Sequence, residues 1–460
     1  MILNYLVSKR QFILILGDLC VVNGSTLLSA FIRLGSVQGL DYLKSNTISF
    51  LLTGVIFLTT FFIGEQYRTG KDFKSIGNIL SIIFLCACAF IISVVMFYLF
   101  WTLRIGRGVF IINGILITFS LIGWRILYSH LMAQPIFKRK TLIIGAGWAG
   151  KTIAKEIKKS KNAGLNVVGF LDDDPLKQGK TVAGIPVLGD RHILNTIIPS
   201  QDIHLVISAI THEKHAELIK SLINCSWNGI EIVDMPTIYE QLTGKIPFKH
   251  INDMWMLHVV ISKPKLYGKL VKPVIERIIA IVLIVLLIPL FVIIAILIKR
   301  DSRGKVFYTQ KRVGKDATRF TIVKFRTMVE NAESETGITH ATENDSRITK
   351  LGRLLRKYRM DEIPQLLNVV KGDMSLIGPR PERRFFIKEY EKKIPFYSQR
   401  LAVKPGLTGW AQVKYSYANS FEQTEEKLQY DLYYIKNMSF LLDLVVLLKT
   451  VQVVLFGSGK

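Results

Sequence analysis

Cysteine and acid are scarce in this chain, and each scarcity excludes something. Four cysteines occur in 460 residues. Cys20, Cys86 and Cys88 lie in apolar runs, and neither these nor Cys225 has the flanking Cys or His of a zinc site, so free thiols are expected and no disulfide framework. Acidic residues number 35 against 60 Lys and Arg, a formal charge of +25. That balance points to anionic partners: phospholipid headgroups, nucleic acid or phosphorylated small molecules. No nucleic-acid motif accompanies the charge, and membrane flanks account for much of it, so no nucleic-acid partner is expected. A small-residue cleavage site is also missing after the first apolar run, which therefore reads as a retained anchor.

Apolar sequence is what the chain has in quantity: half the residues are hydrophobic, and the mean hydropathy is positive. Runs at residues 12–34, 47–64, 79–101 and 109–132 are each near the ~20 residues a spanning helix needs. Lys9 and Arg10, then Arg68, Lys71 and Lys74, then Lys138-Arg139-Lys140 put both ends of this 1–135 region in the cytoplasm by the positive-inside rule. Arg104 and Arg107 stand against that topology. Arg125, inside the fourth run, is expected to snorkel to the interface.

Residues 136–255 read as a Rossmann-like α/β domain. A Thr-Leu-Ile-Ile strand leads into Gly145-Ala146-Gly147-Trp148-Ala149-Gly150 and then a helical stretch, with Asp172-Asp173-Asp174 closing the next strand. A G-x-G-x-x-G in that context presents Gly145, Gly147, Gly150 and Asp172 as nucleotide-binding candidates. The competing reading is a glycine turn that only packs helix on strand.

The remainder, 256–460, is basic and globular except for one apolar segment, 278–298, with Pro289 at its middle. Lys299-Arg300 closes it and Lys263, Lys265, Lys269, Lys272 and Arg277 precede it. Basic flanks on both sides disfavour a crossing. The expectation is a re-entrant helix over 273–300 that breaks at Pro289 and returns, with a kinked fifth span as the alternative. Residues 440–456, interrupted by Asp443, Lys449 and Gln452, read as lying in the membrane interface.

The centre of this part is the stretch 349–381. Lys350, Arg353, Arg356, Lys357 and Arg359 precede the adjacent acids Asp361 and Glu362. Residues 362–370 read as a short helix closed by Gly372, leaving Asp361 near the cap and ionised, a nucleophile candidate. Adjacent helix positions point about 100° apart, so the two acids must divide their roles. Arg380 in Gly378-Pro379-Arg380-Pro381 reads as a rigidly held phosphate donor. Lys324 and Arg326 are phosphate candidates that could equally line a wet strand face. Asp345 and Arg347 could simply pair, Asp373 reads as capping the turn after Gly372, and Trp410 as an interface anchor or a base stacker.

The motifs Lys324-Phe325-Arg326, Asp361-Glu362-x-Pro364-Gln365, Gly378-Pro379-Arg380-Pro381 and Pro405-Gly406-x-Thr408-Gly409-Trp410 resemble, in type and order, those of the bacterial sugar transferase family. With four spans and a G-x-G-x-x-G domain in front, the chain is similar to its large, undecaprenyl-phosphate glucose phosphotransferase-like members. The resemblance implies a membrane protein with a four-helix transmembrane bundle, a Rossmann-like α/β domain and an α/β monotopic transferase domain with a re-entrant membrane helix. It also implies transfer of a hexose-1-phosphate from a UDP-sugar to undecaprenyl phosphate, with release of UMP, through a covalent aspartyl phosphosugar. Asp361 then matches the nucleophile, Glu362 the Mg2+-binding partner and Arg380 the phosphate-binding arginine, with Arg356 supplying further positive charge. The location implied is the bacterial inner membrane, multi-pass, with the transferase domain on the cytoplasmic face. A homodimer is left open.

Two rivals carry their own tests. A membrane-anchored nucleotide-sugar dehydratase or epimerase needs a Tyr with Lys four residues on, and no Tyr after Gly150 has one. A non-catalytic nucleotide-sensing scaffold is opposed by the intact acid pair and Arg380.

Overall fold

The computed structural model describes residues 9–67, 71–160, 163–210, 216–247, 266–329, 345, 347–415 and 420–455. The chain divides into two compact units, Met1–Gly244 and Lys245–Lys460. The expected domain boundary at 255/256, like Arg68, Lys263 and Lys265, lies outside the described residues.

The first unit begins with five helices: α1 Lys9–Leu34, α2 Ser36–Ser45, α3 Thr47–Ile63, α4 Ile76–Leu99 and α5 Arg107–Met132. Helices α1, α4 and α5 are each long and apolar enough to cross a bilayer. The second expected run is the helix α3, 17 residues long, which meets that length only together with α2, bent at 78° to it. Arg125 does not snorkel. Its side chain is fully buried, 2.5 Å from the Asp18 carboxylate, donates to the Gln66 carbonyl, and lies within about 5 Å of the Phe61 and Phe73 ring centroids. Asp18, the lone acid of α1, keeps that charge inside: a paired guanidinium needs no path to water.

Six strands follow in the order β3-β4-β2-β1-β5-β6: β1 Arg139–Ile144, β2 Leu165–Leu171, β3 Thr181–Val182, β4 Ile185–Gly189, β5 Leu205–Ser208 and β6 Glu231–Asp234. All neighbouring pairs run parallel except β3 with β4. Helix α6, Trp148–Lys159, rises from the glycine loop and buries Ile153, Ala154 and Ile157 against Ile143, Phe170 and Ile207 of the sheet. The third glycine is fixed by packing, since a Cβ at Gly150 would stand 1.9 Å from the Gly145 carbonyl oxygen.

In the second unit a helix runs uninterrupted over Lys272–Asp301 with Pro289 inside it. The expected break is absent. One proline removes a single backbone donor, and the bonded turns on either side carry the helix through. Both ends pack on the same unit: Lys272 bonds Asp443 and Tyr434, Glu276 bonds Ser375 and the Ile377 amide, and Ile294 and Ile298 join Phe325 and Leu355 in one core cluster. Between them Val285 and Leu286 are 60% and 68% exposed. Asp443, taken from sequence as a polar interruption of an interface helix, is a buried partner of Lys272 on the helix Phe440–Leu455.

Candidate active site

The site is assembled from a hairpin, a basic helix and two glycine-punctuated turns. The hairpin pairs β7 Phe307–Val313 with β8 Arg319–Phe325, antiparallel. Along β8 the side chains alternate, so Phe325 is buried against Phe291 and Phe307 while Lys324 points the other way, as a strand's period of two requires. Thr349 caps the basic helix Lys350–Lys357 by accepting from the Gly352 amide. Arg356 on that helix donates to Thr327 Oγ1 at 2.8 Å.

The acids sit on a 3-10 helix, Met360–Gln365, that runs into a short α-helix, Leu366–Lys371, closed by Gly372. Closure at Gly372 is as expected, and Asp361 lies in the first turn, two residues past the cap. Arg359, in the left-handed region at φ 54, holds the cap position, because Pro364 confines the α-helical hydrogen bonding to the residues beyond it.

Glu362 is the hub. Its Oε1 accepts from Lys324 Nζ at 2.6 Å and Arg380 Nη2 at 2.8 Å, and its Oε2 from Arg380 Nη1 at 3.3 Å. Burial pushes its pKa up, but the Arg380 and Lys324 charges outweigh that and hold the carboxyl well below its ordinary value. Asp361 is buried beside it, and among the described residues its carboxylate accepts no side-chain hydrogen bond. Burial raises its pKa, the Glu362 charge adds to the rise, and Lys324, Arg356 and Arg380 pull against both. Where the sequence reading expects helix amides to stabilise the charged form, burial and the Glu362 charge instead raise the Asp361 carboxyl.

Arg380 is aimed by a tightly knit turn. Strand β9 Ser375–Ile377 pairs with β10 Gly406–Thr408, in parallel, and a Cβ on Gly378 would lie 2.4 Å from the Lys404 carbonyl oxygen. The carbonyls that follow are each held. Gly406 N–H donates to Pro379, Arg400 to Arg380, Arg312 to Pro381 and Val313 N–H to Glu382. Arg400 is itself buried against Asp431 and Tyr397. Burial raises the Glu382 pKa, but Lys427, Arg400 and Arg312 together bring it down to about 2. This scaffold was not read from the sequence; Arg400 and Asp431 stand 31 residues apart in no motif.

Other candidates fall elsewhere. Arg326 donates to the Ser302 and Arg303 carbonyls at the end of the long helix, so its guanidinium caps that helix and is not in the acid cluster. Asp345 and Arg347 pair, and the Arg347 hydrogen bonds lower the Asp345 carboxyl to about 2. Trp410 is 1% exposed and stacks on Tyr433, so it is neither an interface anchor nor an open stacking surface. In the first unit Asp172 accepts from the Ala146 amide at 2.7 Å, from the Asp174 amide at 3.0 Å and from Lys177 Nζ at 3.3 Å, while Gly147 has open space at its Cβ position.

The protein-family description "Bacterial sugar transferase" matches residues 267–457, and "CoA-binding domain" matches residues 63–236. UDP-N-acetylgalactosamine-undecaprenyl-phosphate N-acetylgalactosaminephosphotransferase of Aeromonas hydrophila is 41% identical over 238 residues, covering 52% of this chain and 55% of that protein. The match thus spans about half of that relative's length. UDP-glucose:undecaprenyl-phosphate glucose-1-phosphate transferase of Xanthomonas campestris pv. campestris is 29% identical over 358 residues, 75% of this chain and 72% of that protein. The uncharacterized sugar transferase EpsL of Bacillus subtilis (strain 168) is 43% identical over 170 residues, 37% of this chain and 79% of that protein.

Proposed function

The chain belongs to the bacterial sugar transferase family, and from that premise we propose that it moves a hexose-1-phosphate from a UDP-sugar to undecaprenyl phosphate, releasing UMP. The relatives named above for this kind of transfer support the reading. The observation that carries it is Asp361: a buried carboxylate with no hydrogen-bond donor, beside a Glu362 clamped by Lys324 and Arg380.

In the proposed reaction the Asp361 oxygen attacks the β-phosphorus of the UDP-sugar. The bond from that phosphorus to the UMP oxygen breaks, and UMP departs with the electron pair. The phosphate oxygen of undecaprenyl phosphate then attacks the same phosphorus and displaces Asp361. Arg380 and Lys324, aimed at the acid pair, are the groups that would meet the equatorial phosphate oxygens as charge builds there. Arg356 holds positive charge behind Asp361 and favours its ionised, attacking form.

Mg2+ fits the donor set. It is commonly held by one or two carboxylates together with substrate phosphates, and Glu362 Oε2, with only the longer Arg380 contact, is the oxygen free enough to take it beside Asp361. Bound there it would neutralise pyrophosphate charge and ease the loss of UMP.

The membrane placement proposed is the bacterial inner membrane, multi-pass through the first unit, with Asp361 on the cytoplasmic face and the Lys272–Asp301 helix inserted from that side. The support is that both ends of this helix pack on one unit. The pathway proposed is the first membrane step of exopolysaccharide, capsule or O-antigen synthesis.

The test uses purified protein in nanodiscs with Mg2+, unlabelled UDP-glucose, UDP-galactose or a UDP-N-acetylhexosamine, and radiolabelled UMP, but no acceptor lipid. Label should exchange into one UDP-sugar and identify the donor. In a parallel reaction with undecaprenyl phosphate added, transfer to lipid by a protein that shows no lipid-free exchange would replace the covalent step by direct displacement. No transfer from any UDP-sugar would overturn the reading.

A further inference from the structure

A second group of cations gathers where the helix Leu366–Lys371 ends. Gly372 is left-handed there, at φ 88. A Cβ on it would lie 2.8 Å from Arg277 Nη2 and 3.6 Å from Lys404 Nζ, so a guanidinium and an ammonium converge over one backbone position. Burial, then the charges of Arg277 and Lys315, lower the Lys404 ammonium from its ordinary value, against smaller opposing pulls from Glu276 and Asp373. Like charges held together are a cost that a bound anion removes.

Two ordinary explanations for the cluster fail. It does not cap the helix, because the Asn368 carbonyl already accepts from the Gly372, Asp373 and Met374 amides and the Val369 carbonyl from Gly372. Nor is it an internal ion pair. Glu276, the neighbouring acid on the long helix, is committed to Lys272, Ser375 and the Ile377 amide, and Asp373, the other acid acting on Lys404, makes no ion pair with either cation among the described residues. Among the described residues neither Arg277 nor Lys404 makes a hydrogen bond or ion pair.

The surroundings indicate what the anion is attached to. Val274, Ile278 and Ile281 on the same stretch of helix as Arg277 are 56%, 57% and 49% exposed, so the cations border an apolar surface. An anionic head joined to a hydrocarbon tail matches both features.

We propose that Arg277 and Lys404 form a capture site for the phosphate of the acceptor lipid, a polyprenyl phosphate monoester. This rests on the transfer reaction proposed above. A monoester is close to a dianion near neutral pH and matches two cations better than the single charge of a phosphodiester headgroup. The site holds the lipid and does not react it. The chain from Asp361 to Gly372 rises roughly 15–20 Å at helical spacing. Lys404 also leads directly into Pro405-Gly406, and the Gly406 amide donates to Pro379 in the turn that aims Arg380.

The test measures binding apart from chemistry. Full-length Asp361→Asn protein, unable to form the covalent species, is placed in phosphatidylcholine nanodiscs, and retention of a C55 polyprenyl phosphate is titrated by native mass spectrometry with and without Arg277→Gln and Lys404→Gln. The double variant should weaken retention about tenfold, and Arg277→Lys with Lys404→Arg should recover most of it. Unchanged retention overturns the site. Equal competition by phosphatidylglycerol or by inorganic phosphate also overturns it, reducing it to a general headgroup or free-anion site. In the protein with Asp361 intact, the lipid-free UMP exchange should persist in the double variant while the KM for polyprenyl phosphate rises about tenfold. Exchange missing before any substitution would indict the transfer reading and leave the retention result standing.

Discussion

Two carboxylate-bearing loops in this molecule were both read as sites for phosphorylated ligands, and they are built in opposite ways. In the first unit Asp172 is turned onto its own glycine loop and takes donors from Ala146, Asp174 and Lys177. In the second, Glu362 takes all the donors, and Asp361 beside it is buried with none among the described residues. A folded chain ordinarily satisfies its buried polar groups. The loop around Asp172 meets that condition by itself, whereas the Asp361 loop leaves its carboxylate, 8% exposed, without a protein donor and so open to a ligand. A fingerprint of residue types does not distinguish these cases; the hydrogen bonds do.

The sharpest way to break this contrast is Asp361→Asn. An amide cannot form the acyl phosphate, so transfer and UMP exchange should both fall by at least about 10^4-fold with the circular dichroism spectrum unchanged. Near-normal turnover would remove Asp361 as nucleophile. Glu362→Gln comes next. It loses one hard-oxygen ligand and leaves Lys324 and Arg380 without their shared charge, so kcat should fall by about 10^2–10^3-fold and the Mg2+ requirement should rise. Unchanged Mg2+ dependence would take Glu362 out of the metal site and leave it as an organiser of the two cations.

A smaller effect is read through pH. The Asp361 carboxyl lies above its ordinary value because burial and Glu362 outweigh three cations. Since the ionised form attacks, kcat/KM should drop as pH falls through that raised value, and the acid limb should lie above the unperturbed ~3.9 of an aspartate. Lys324 is the largest of the opposing influences. Lys324→Met should therefore move the limb to higher pH and cost about tenfold at a fixed pH just above it. A limb at or below pH 4 in the parent, or one that does not move in the variant, would mean that desolvation does not govern Asp361.

What could be read from residues alone divides along physical lines. Apolar runs, the strand–glycine–helix pattern and the acid pair with its arginines are local, and each reappears in the structure as an element or a cluster. Errors arose where the deciding partner is distant in sequence. Arg125 reads as an interface residue because Asp18, 107 residues away, gives no local signal beyond being the single acid of its helix. Arg326 was grouped with Lys324 by adjacency, but the carbonyls it caps end a helix more than twenty residues earlier. Trp410 reads locally as an interface anchor or base stacker, but Tyr433, 23 residues on, stacks upon it. Pro289 does not break its helix, because local propensity counts little inside a helix whose two ends are anchored by packing.

The smallest expected effect is also the one that probes the other side of the contrast. Asp172→Asn keeps an oxygen that can accept from the Ala146 amide, but it removes the charge that Lys177 meets and turns an NH2 toward a position where the Asp174 amide also donates. Losing part of one partly buried hydrogen-bond set costs about 1 kcal/mol, which for a unit of this size lowers Tm by roughly 2–4 °C. Transfer activity should stay within about twofold, because the donors of this loop are engaged with Asp172 and the proposed reaction draws on none of them. Thermal unfolding followed alongside the UMP-exchange rate reads both quantities on one preparation. A loss of exchange of tenfold or more at an unchanged Tm would show that the glycine loop takes part in the chemistry, and the opposition between a self-satisfied carboxylate and an open one would no longer mark which loop reacts.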